Sequence, residues 1–228
     1  MNFSIVIPVY NEEDNIIELY NEIISNLNIS NYEILFVDDC SEDNTLKKIN
    51  LILSDKKVKL IKNIKNMGQS FSITNGIQNS KYNTIVTIDG DRQNDPKDIK
   101  KLIELYFQNE QIFLVGGIRK DRKDNIIKKV SSFLANLIKS KILKDKCMDT
   151  GCALKIFDKQ IFLSFPYFDG IHRFLPALFI GFKKKTLFIN VNHRKRFFGK
   201  SKYGVYNRLF KGIRDIIKVY MIIKKFKD

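Results

Sequence analysis

Apolar and polar residues come along this chain in blocks rather than in strict alternation. Residues 3–9, FSIVIPV, form a short apolar run that stops at the polar Asn11-Glu12-Glu13. A continuous run of that length predicts a strand covered on both faces, because a half-exposed strand would alternate. The block after it, DNIIELYNEIISNL, sets Ile16, Leu19, Ile23 and Ile24 near one helical face. The pair of patterns then recurs. YEILFVDD at 32–39 leads to a helix begun by Asp43, Thr45 and Leu46, and VKLIKN at 58–63 leads to a helical stretch around 68–80. NTIVTIDGD at 83–91 leads to a helix around 98–108, and QIFLVGG at 111–117 completes the regular part.

This repetition predicts an α/β fold, a single domain around a mostly parallel central sheet. Each polar cluster falls at the carboxyl end of a strand, the edge where open α/β sheets bind ligands. The second half is less regular. A basic amphipathic stretch, NIIKKVSSFLANLIKSKIL, precedes CMDTGCALKIF at 147–157, which re-enters the core. FLPALFIGF at 174–182 reads as a buried helix, and the strand TLFINVNH leads into RKRFFGKSKYG. The domain is expected over residues 1–204, with 205–228 as an amphipathic, basic C-terminal extension.

Charge narrows the partners. Lys and Arg total 40 against 25 Asp and Glu, a formal +15, which favours a polyanionic surface or substrate. No nucleic-acid-binding motif accompanies that charge, so nucleic acid is not an expected partner. The three cysteines, Cys40, Cys147 and Cys152, lack zinc-site spacing. Their odd number, and the passage from Met1 straight into a strand, predict a reduced, cytosolic chain. No window reaches the ~18–20 apolar residues that cross a bilayer, so no transmembrane segment is expected.

The sharpest local chemistry is IDGDRQNDP. Asp89 and Asp91 follow an apolar strand with Gly90 between them, and a turn there brings two carboxylates to one cation. Gln93 offers a further oxygen. A solvated acidic turn is the alternative reading.

Four segments together resemble family 2 glycosyltransferases of the GT-A fold, in the branch acting on polyprenyl or dolichyl phosphates. They are IVIPVYNEEDNI at 5–16, YEILFVDDCSEDNT at 32–45, NMGQSFSITNGI at 66–77 and TIDGDRQNDPKDI at 87–99. The resemblance implies that Pro8, Tyr10, Glu12 and Asp39 line a nucleotide pocket, with Gly68 of the N-x-G loop beside it. Asp38 either joins them or caps the following turn. Asp89, Asp91 and Gln93 match the family's metal and diphosphate site, implying Mg²⁺ or Mn²⁺ as cofactor.

Later segments resemble the transferases that load sugars onto undecaprenyl phosphate: DTGCALKIF at 149–157, HRFLPAL at 172–178 and NHRKRFFGKSKYG at 192–204. By that match Arg119, Arg122, Ser131, Ser132, Arg196, Ser201 and Lys202 are candidate ligands of an acceptor phosphate. A solvated basic turn is the alternative for Arg119 and Arg122. Asp149 is the candidate carboxylate near the sugar, acting as a base, orienting a hydroxyl or anchoring the turn at Gly151. His172 reads as structural, His193 is open between roles, and Cys152 is expected to pack in the core.

The reaction so implied is an inverting displacement. The sugar passes from a UDP- or GDP-sugar donor to polyprenyl phosphate, with Asp91, Asp149, Arg119, Arg122, Arg196 and Lys202 as its principal residues. A lipid acceptor implies peripheral attachment at the cytoplasmic face of the cell membrane, through the C-terminal stretch, the 126–143 stretch or a membrane-protein partner, with a homo-oligomer as a further candidate partner; the alternative is that both stretches pack on the domain with solvated basic faces. The alternatives are transfer to a saccharide or other soluble hydroxyl acceptor, and a nucleotide-sugar-binding protein without catalysis.

Overall fold

The computed structural model describes residues 1–120, 142–143, 147, 149–196 and 205–227. Strands β1 (Phe3–Val9), β2 (Tyr32–Asp38), β3 (Val58–Lys62), β4 (Thr84–Thr87), β5 (Ile112–Arg119), β6 (Lys155–Asp158) and β7 (Lys185–Val191) form one seven-stranded sheet. Its order is β3-β2-β1-β4-β6-β5-β7. All pairs are parallel except those of β6, which runs antiparallel to both β4 and β5. The helices are α1 (Ile16–Asn26), α2 (Thr45–Ile52), α3 (Gln69–Gln78), α4 (Lys97–Gln108), α5 (Lys159–Leu163), α6 (Ile171–Gly181) and α7 (Val205–Lys227).

Both faces of the sheet are covered, which is why the strands read as unbroken apolar runs. On one face Ile5, Ile7, Phe36 and Val86 pack with Ile16, Leu19 and Ile23 of α1, Ile49 of α2 and Ile99 and Leu102 of α4. On the other, Val6, Val37, Ile85 and Phe157 pack with Ile73 and Ile77 of α3, Phe174, Leu178 and Phe179 of α6, and Val219 and Ile223 of α7. Gly76 of α3 allows the close approach: a Cβ there would lie 2.5 Å from Val6 Cγ1 and 2.8 Å from Val37 Cγ2.

The expected elements form with small shifts of boundary, and the helix read at 174–182 begins earlier, at Ile171. The stretch expected as an extension docks one face of α7 on the core. Ile216, Val219 and Ile223 are buried there, and Ile223 crosses at Gly181, where a Cβ would meet its Cδ1 at 2.5 Å. Arg173 of α6 pairs with the buried Asp215 of α7 at 2.7 Å, setting the rotation of the helix. Its other face exposes Ile217, Tyr220 and Met221 among Arg214, Lys218, Lys224 and Lys225. Among the described residues no helix is long and apolar enough to cross a membrane. Most of the amphipathic stretch before residue 144 lies outside the described residues.

The carboxyl edge of the sheet is built from tight reversals. Just past β1, β2, β3 and β4 come Asn11, Cys40, Gly68 and Arg92, with φ of 51°, 64°, 85° and 60°. Left-handed backbone is uncommon outside glycine, and its recurrence at four neighbouring loops sets that edge apart.

Candidate active site

The first two loops hold each other. Asn11 N–H donates to Ser41 Oγ at 3.0 Å and Glu42 N–H returns to Asn11 Oδ1 at 2.8 Å. Glu12 N–H donates to Thr45 Oγ1 at 2.8 Å, Glu13 N–H to Asp43 Oδ2 at 3.2 Å, and Asn44 N–H to Glu13 Oε2 at 2.9 Å. The Glu12 carboxylate itself takes Asn15 Nδ2 at 2.8 Å. Pro8 lies opposite Val37 in the sheet register, and Tyr10, half-buried, follows at the rim.

Asp39 organises the third loop. Its buried carboxylate accepts from Asn63 Nδ2 at 2.7 Å, Met67 N–H at 2.9 Å and Gly68 N–H at 2.8 Å. The Asn66-Met67-Gly68 turn is thereby pulled against the end of β2. Asp38 accepts from Ser41 N–H at 3.2 Å, a turn-capping bond.

Gly90 lets the acidic loop lie on β1, since a Cβ would approach Val9 Cγ1 to 2.8 Å and Pro8 O to 3.3 Å. Asp89 and Asp91 are thus brought to the sheet edge together. Asp89 Oδ1 accepts from Gln69 Nε2 at 2.7 Å. Asp91 Oδ1 accepts from Gln93 N–H at 3.1 Å, and Asp91 Oδ2 pairs with Arg196 at 2.5 Å. Burial first, and repulsion from Asp91 second, push the Asp89 carboxyl from 3.8 up to about 7, against the pull of Lys155, Arg119 and Arg196.

A strap from the end of β7 is bound to this loop. Asn94 bridges His193, and Arg194 N–H donates to Gln93 O at 2.8 Å. The Gln93 side chain turns its amide nitrogen to Arg194 O at 3.4 Å. Arg194 spans Glu22 of α1 at 2.6 Å and Asp95 at 2.5 Å, while Arg92 reaches Glu22 at 2.5 Å. Burial alone would raise both carboxyls, but the guanidiniums of Arg92 and Arg194 hold Glu22 below its usual range, and the Lys97 N–H, followed by Arg194, does the same for Asp95. Asn192 N–H donates to the fully buried Asp98 at 2.6 Å, closing the strap's other end.

Arg119 and Asp149 form a fork. Asp149 Oδ2 accepts Arg119 N–H at 3.1 Å and Nε at 2.7 Å, and Oδ1 accepts Nη2 at 2.7 Å. Gly151 makes room for the guanidinium, since a Cβ would lie 3.0 Å from Nη2. The geometry shows Asp149 in an anchoring role outside the three read from the sequence. The anchored group is Arg119. Cys152 packs in the core as expected, with burial pushing its thiol up to about 11. Arg122, Ser131, Ser132, Ser201 and Lys202 lie outside the described residues.

Several neighbours went unmarked in the sequence reading. Gln69 holds Asp89, and its place directly after Gly68 was the available signal. Ser70 carried none. Its Oγ accepts Gly170 N–H at 2.7 Å and shares a hydrogen bond with His172 Nδ1 at 2.7 Å, its direction set by the imidazole tautomer, consistent with a structural His172. Lys155, at the R/K position of the DTGCALKIF segment, is buried in β6 with its ammonium on Cys152 O. Among the described residues no cluster of three or more His, Cys, Asp or Glu is gathered around a metal position. Two carboxylates at a ligand-binding edge still suit a hard cation that draws its other oxygens from a nucleotide diphosphate and water.

A mostly parallel α/β sheet with this acidic loop at its carboxyl edge defines a GT-A-type nucleotide-sugar transferase domain. The fold matches glucosyl-3-phosphoglycerate synthase from Mycobacterium tuberculosis, solved with Mn²⁺, UDP and glucosyl-3-phosphoglycerate, at TM-score 0.74 and 15% identity over 97% of this chain and 79% of that one. The same enzyme bound to Mn²⁺, UDP-glucose and phosphoglyceric acid matches at 0.73 and 16%, over 97% and 79%. The sequence profile of Glycosyl transferase family 2 matches residues 4–164, and the chain belongs to that family. It is an enzyme of nucleotide-sugar-dependent glycosyl transfer. A dodecaprenyl-phosphate galacturonate synthase of Rhizobium johnstonii is 32% identical over 98% of this chain and 68% of its own length. An undecaprenyl-phosphate 4-deoxy-4-formamido-L-arabinose transferase of Pectobacterium carotovorum is 32% identical over 89% of this chain and 63% of its own. The chain thus spans about two thirds of the length of these relatives.

Proposed function

We propose that this chain transfers a sugar from a UDP- or GDP-sugar to polyprenyl phosphate at a membrane surface. The observation that carries this reading is the 32% identity, over 98% of the chain, to an enzyme named for dodecaprenyl phosphate. Cations on the same edge as the carboxylates support it: Arg119, fixed by Asp149, and Arg196, at Asp91.

Pro8, Tyr10 and Glu12 would line the nucleoside, with Asp39 shaping the pocket through the loop it holds. A phosphate oxygen of the acceptor attacks the anomeric carbon from the face opposite the leaving group. The new C–O bond forms as the bond to the diphosphate breaks, the nucleoside diphosphate departs with that electron pair, and the configuration inverts. The acceptor is already anionic, so alignment and charge compensation are the main tasks. Asp89 and Asp91 would hold Mg²⁺ or Mn²⁺, which supplies neutralisation of the departing diphosphate. Arg119, with its plane set by the fork to Asp149, would receive the acceptor phosphate, joined by Arg122, Ser131, Ser132, Arg196, Ser201 and Lys202. The exposed Ile217, Tyr220 and Met221 of α7, flanked by lysines, suit shallow contact with anionic headgroups at the cytoplasmic face.

Transfer to a soluble hydroxyl acceptor is the second reading. The shared fold favours it, since the solved synthases hold phosphoglyceric acid. A hydroxyl would need a proton acceptor, and Asp149 is then the buried carboxylate to consider.

One assay separates the two. Radiolabelled UDP- and GDP-sugars are offered with short-chain polyprenyl phosphate, phosphoglyceric acid or saccharides, in Mg²⁺ or Mn²⁺, beside an Asp91→Ala control. A metal- and Asp91-dependent lipid product supports the first reading. A product on phosphoglyceric acid or a saccharide alone replaces it with the second.

A further inference from the structure

One short turn, residues 167–170, stands between the C-terminal helix α7 and the start of α3. On the α7 side, the Lys218 ammonium lies 5.5 Å from the centre of the Phe168 ring, and the Asp215 carboxylate packs against Gly170. A Cβ at Gly170, whose φ is 107°, would lie 2.9 Å from both Asp215 Oδ2 and Arg173 Nη2. Asp215 is itself 3% exposed and pairs with Arg173 at 2.7 Å. On the α3 side, Gly170 N–H donates to Ser70 Oγ at 2.7 Å, and the Phe71 ring stands edge-on to Tyr167 with centres 6.5 Å apart. Ser70 comes directly after Gly68, whose N–H is held by Asp39, and Gln69, whose amide holds Asp89.

Docking alone does not call for a carboxylate at 215. Burying an ionised group is costly, and apolar side chains on the same face, Val219 and Ile223, already seat the helix on the core. What Asp215 adds is direction. It fixes the Arg173 guanidinium and backs the left-handed Gly170 whose N–H meets Ser70. We propose that Asp215 is a positioning residue for the donor side of the reaction: through Arg173 and Gly170 it sets Ser70, and with it the Gly68–Gln69 turn. This rests on the transfer reading for one point, that the Gly68–Gln69 turn borders the donor pocket. Helix α7 then serves the transferase directly, because its docking is coupled to nucleotide affinity.

Amide hydrogen exchange of the full chain, free of nucleotide, reads the coupling without activity. Asp215→Asn keeps the shape and removes the charge. Arg173→Gln cuts the same link at a side chain 32% exposed, and serves where Asp215→Asn does not fold. Ile223→Ala loosens α7 about two helical turns away, leaving residues 167–170 untouched. Asp215→Asn should speed exchange across residues 66–72 about three- to tenfold, the range of coupling carried through packed contacts. Ile223→Ala should speed it in α7 alone. Unchanged exchange at 66–72 in Asp215→Asn and Arg173→Gln, or an equal rise there in Ile223→Ala, overturns the positioning role. Calorimetric binding of UDP and of GDP with Mn²⁺ is the second arm. The nucleotide that wild type binds should bind Asp215→Asn and Ser70→Ala each about three- to tenfold more weakly. The double variant should be no weaker than the weaker single one, since both changes cut one chain of contacts, and additive losses overturn that chain. Faster exchange with unchanged nucleotide binding instead overturns the donor reading of the Gly68–Gln69 turn, as does binding of neither nucleotide by wild type.

Discussion

Replacing Asp149 by Asn separates an anchoring carboxylate from a catalytic base. The carboxylate accepts three N–H groups from Arg119, two at 2.7 Å and one at 3.1 Å. An Asn side chain is nearly the same size but offers one oxygen. If that oxygen stays with Arg119 Nε and the backbone N–H, the new amide NH₂ faces Nη2, donor against donor. Breaking a buried ion pair by removing one partner costs about 3–5 kcal/mol. The Arg119 side chain is 16% exposed and that of Asp149 4%, so part of the loss is made good by water. About 2–3 kcal/mol is expected, which for a domain of this size lowers Tm by about 5–10 °C. The chain has no Trp, so urea and thermal unfolding are followed by far-ultraviolet circular dichroism. Transfer should fall at every pH, because Arg119 loses its orientation, and the shape of the pH–rate profile should stay as in wild type. Arg119→Gln should bring a similar loss, and the double variant less than the sum of the two. Wild-type stability in Asp149→Asn, together with loss of only the acidic limb of the pH profile, would refute the anchoring argument and restore the base.

Three further outcomes follow from the same structure. Asp39→Ala strands the donors of Asn63, Met67 and Gly68, so urea unfolding should show a loss of about 3 kcal/mol, with weakened nucleotide binding by calorimetry. Asp89 binds its proton more tightly in the folded chain, at about 7 against 3.8, so its ionisation costs stability that is lost as pH rises between those values. Asp89→Asn should abolish that slope, and wild-type Mn²⁺ affinity should fall below about pH 7 as the proton competes, which a titration series in pH checks. Gly181→Leu drives a side chain into Ile223, whose atoms a Cβ alone would meet at 2.5 Å, so α7 should loosen by about 1–3 kcal/mol and become the first site of limited proteolysis.

The pattern of residues alone determined the class of fold, because strands covered on both faces cannot alternate. FSIVIPV, YEILFVDD and NTIVTIDGD each announced a strand with its ligand-facing end attached. The family was readable for a related reason: loops at that edge need particular residues, such as Gly68 with its positive φ and Gly90 pressed on β1. Pairing across the fold was not readable. The four residues of β6 give no sign that they slip antiparallel between β4 and β5, because sheet order is chosen by long-range packing rather than local pattern. Nor does a basic side chain declare its partner. Arg119, Arg194 and Arg196 look alike in sequence, and only the folded chain assigns one to Asp149, one to Glu22 and Asp95, and one to Asp91. The amphipathic tail was visible as such, but which of its faces is buried was decided by Gly181 and by the pairing of Asp215 with Arg173. Periodicity fixes what a segment can become, since it depends on neighbours in the chain. Charge partners and buried faces depend on residues a hundred positions away, brought together only when the core closes.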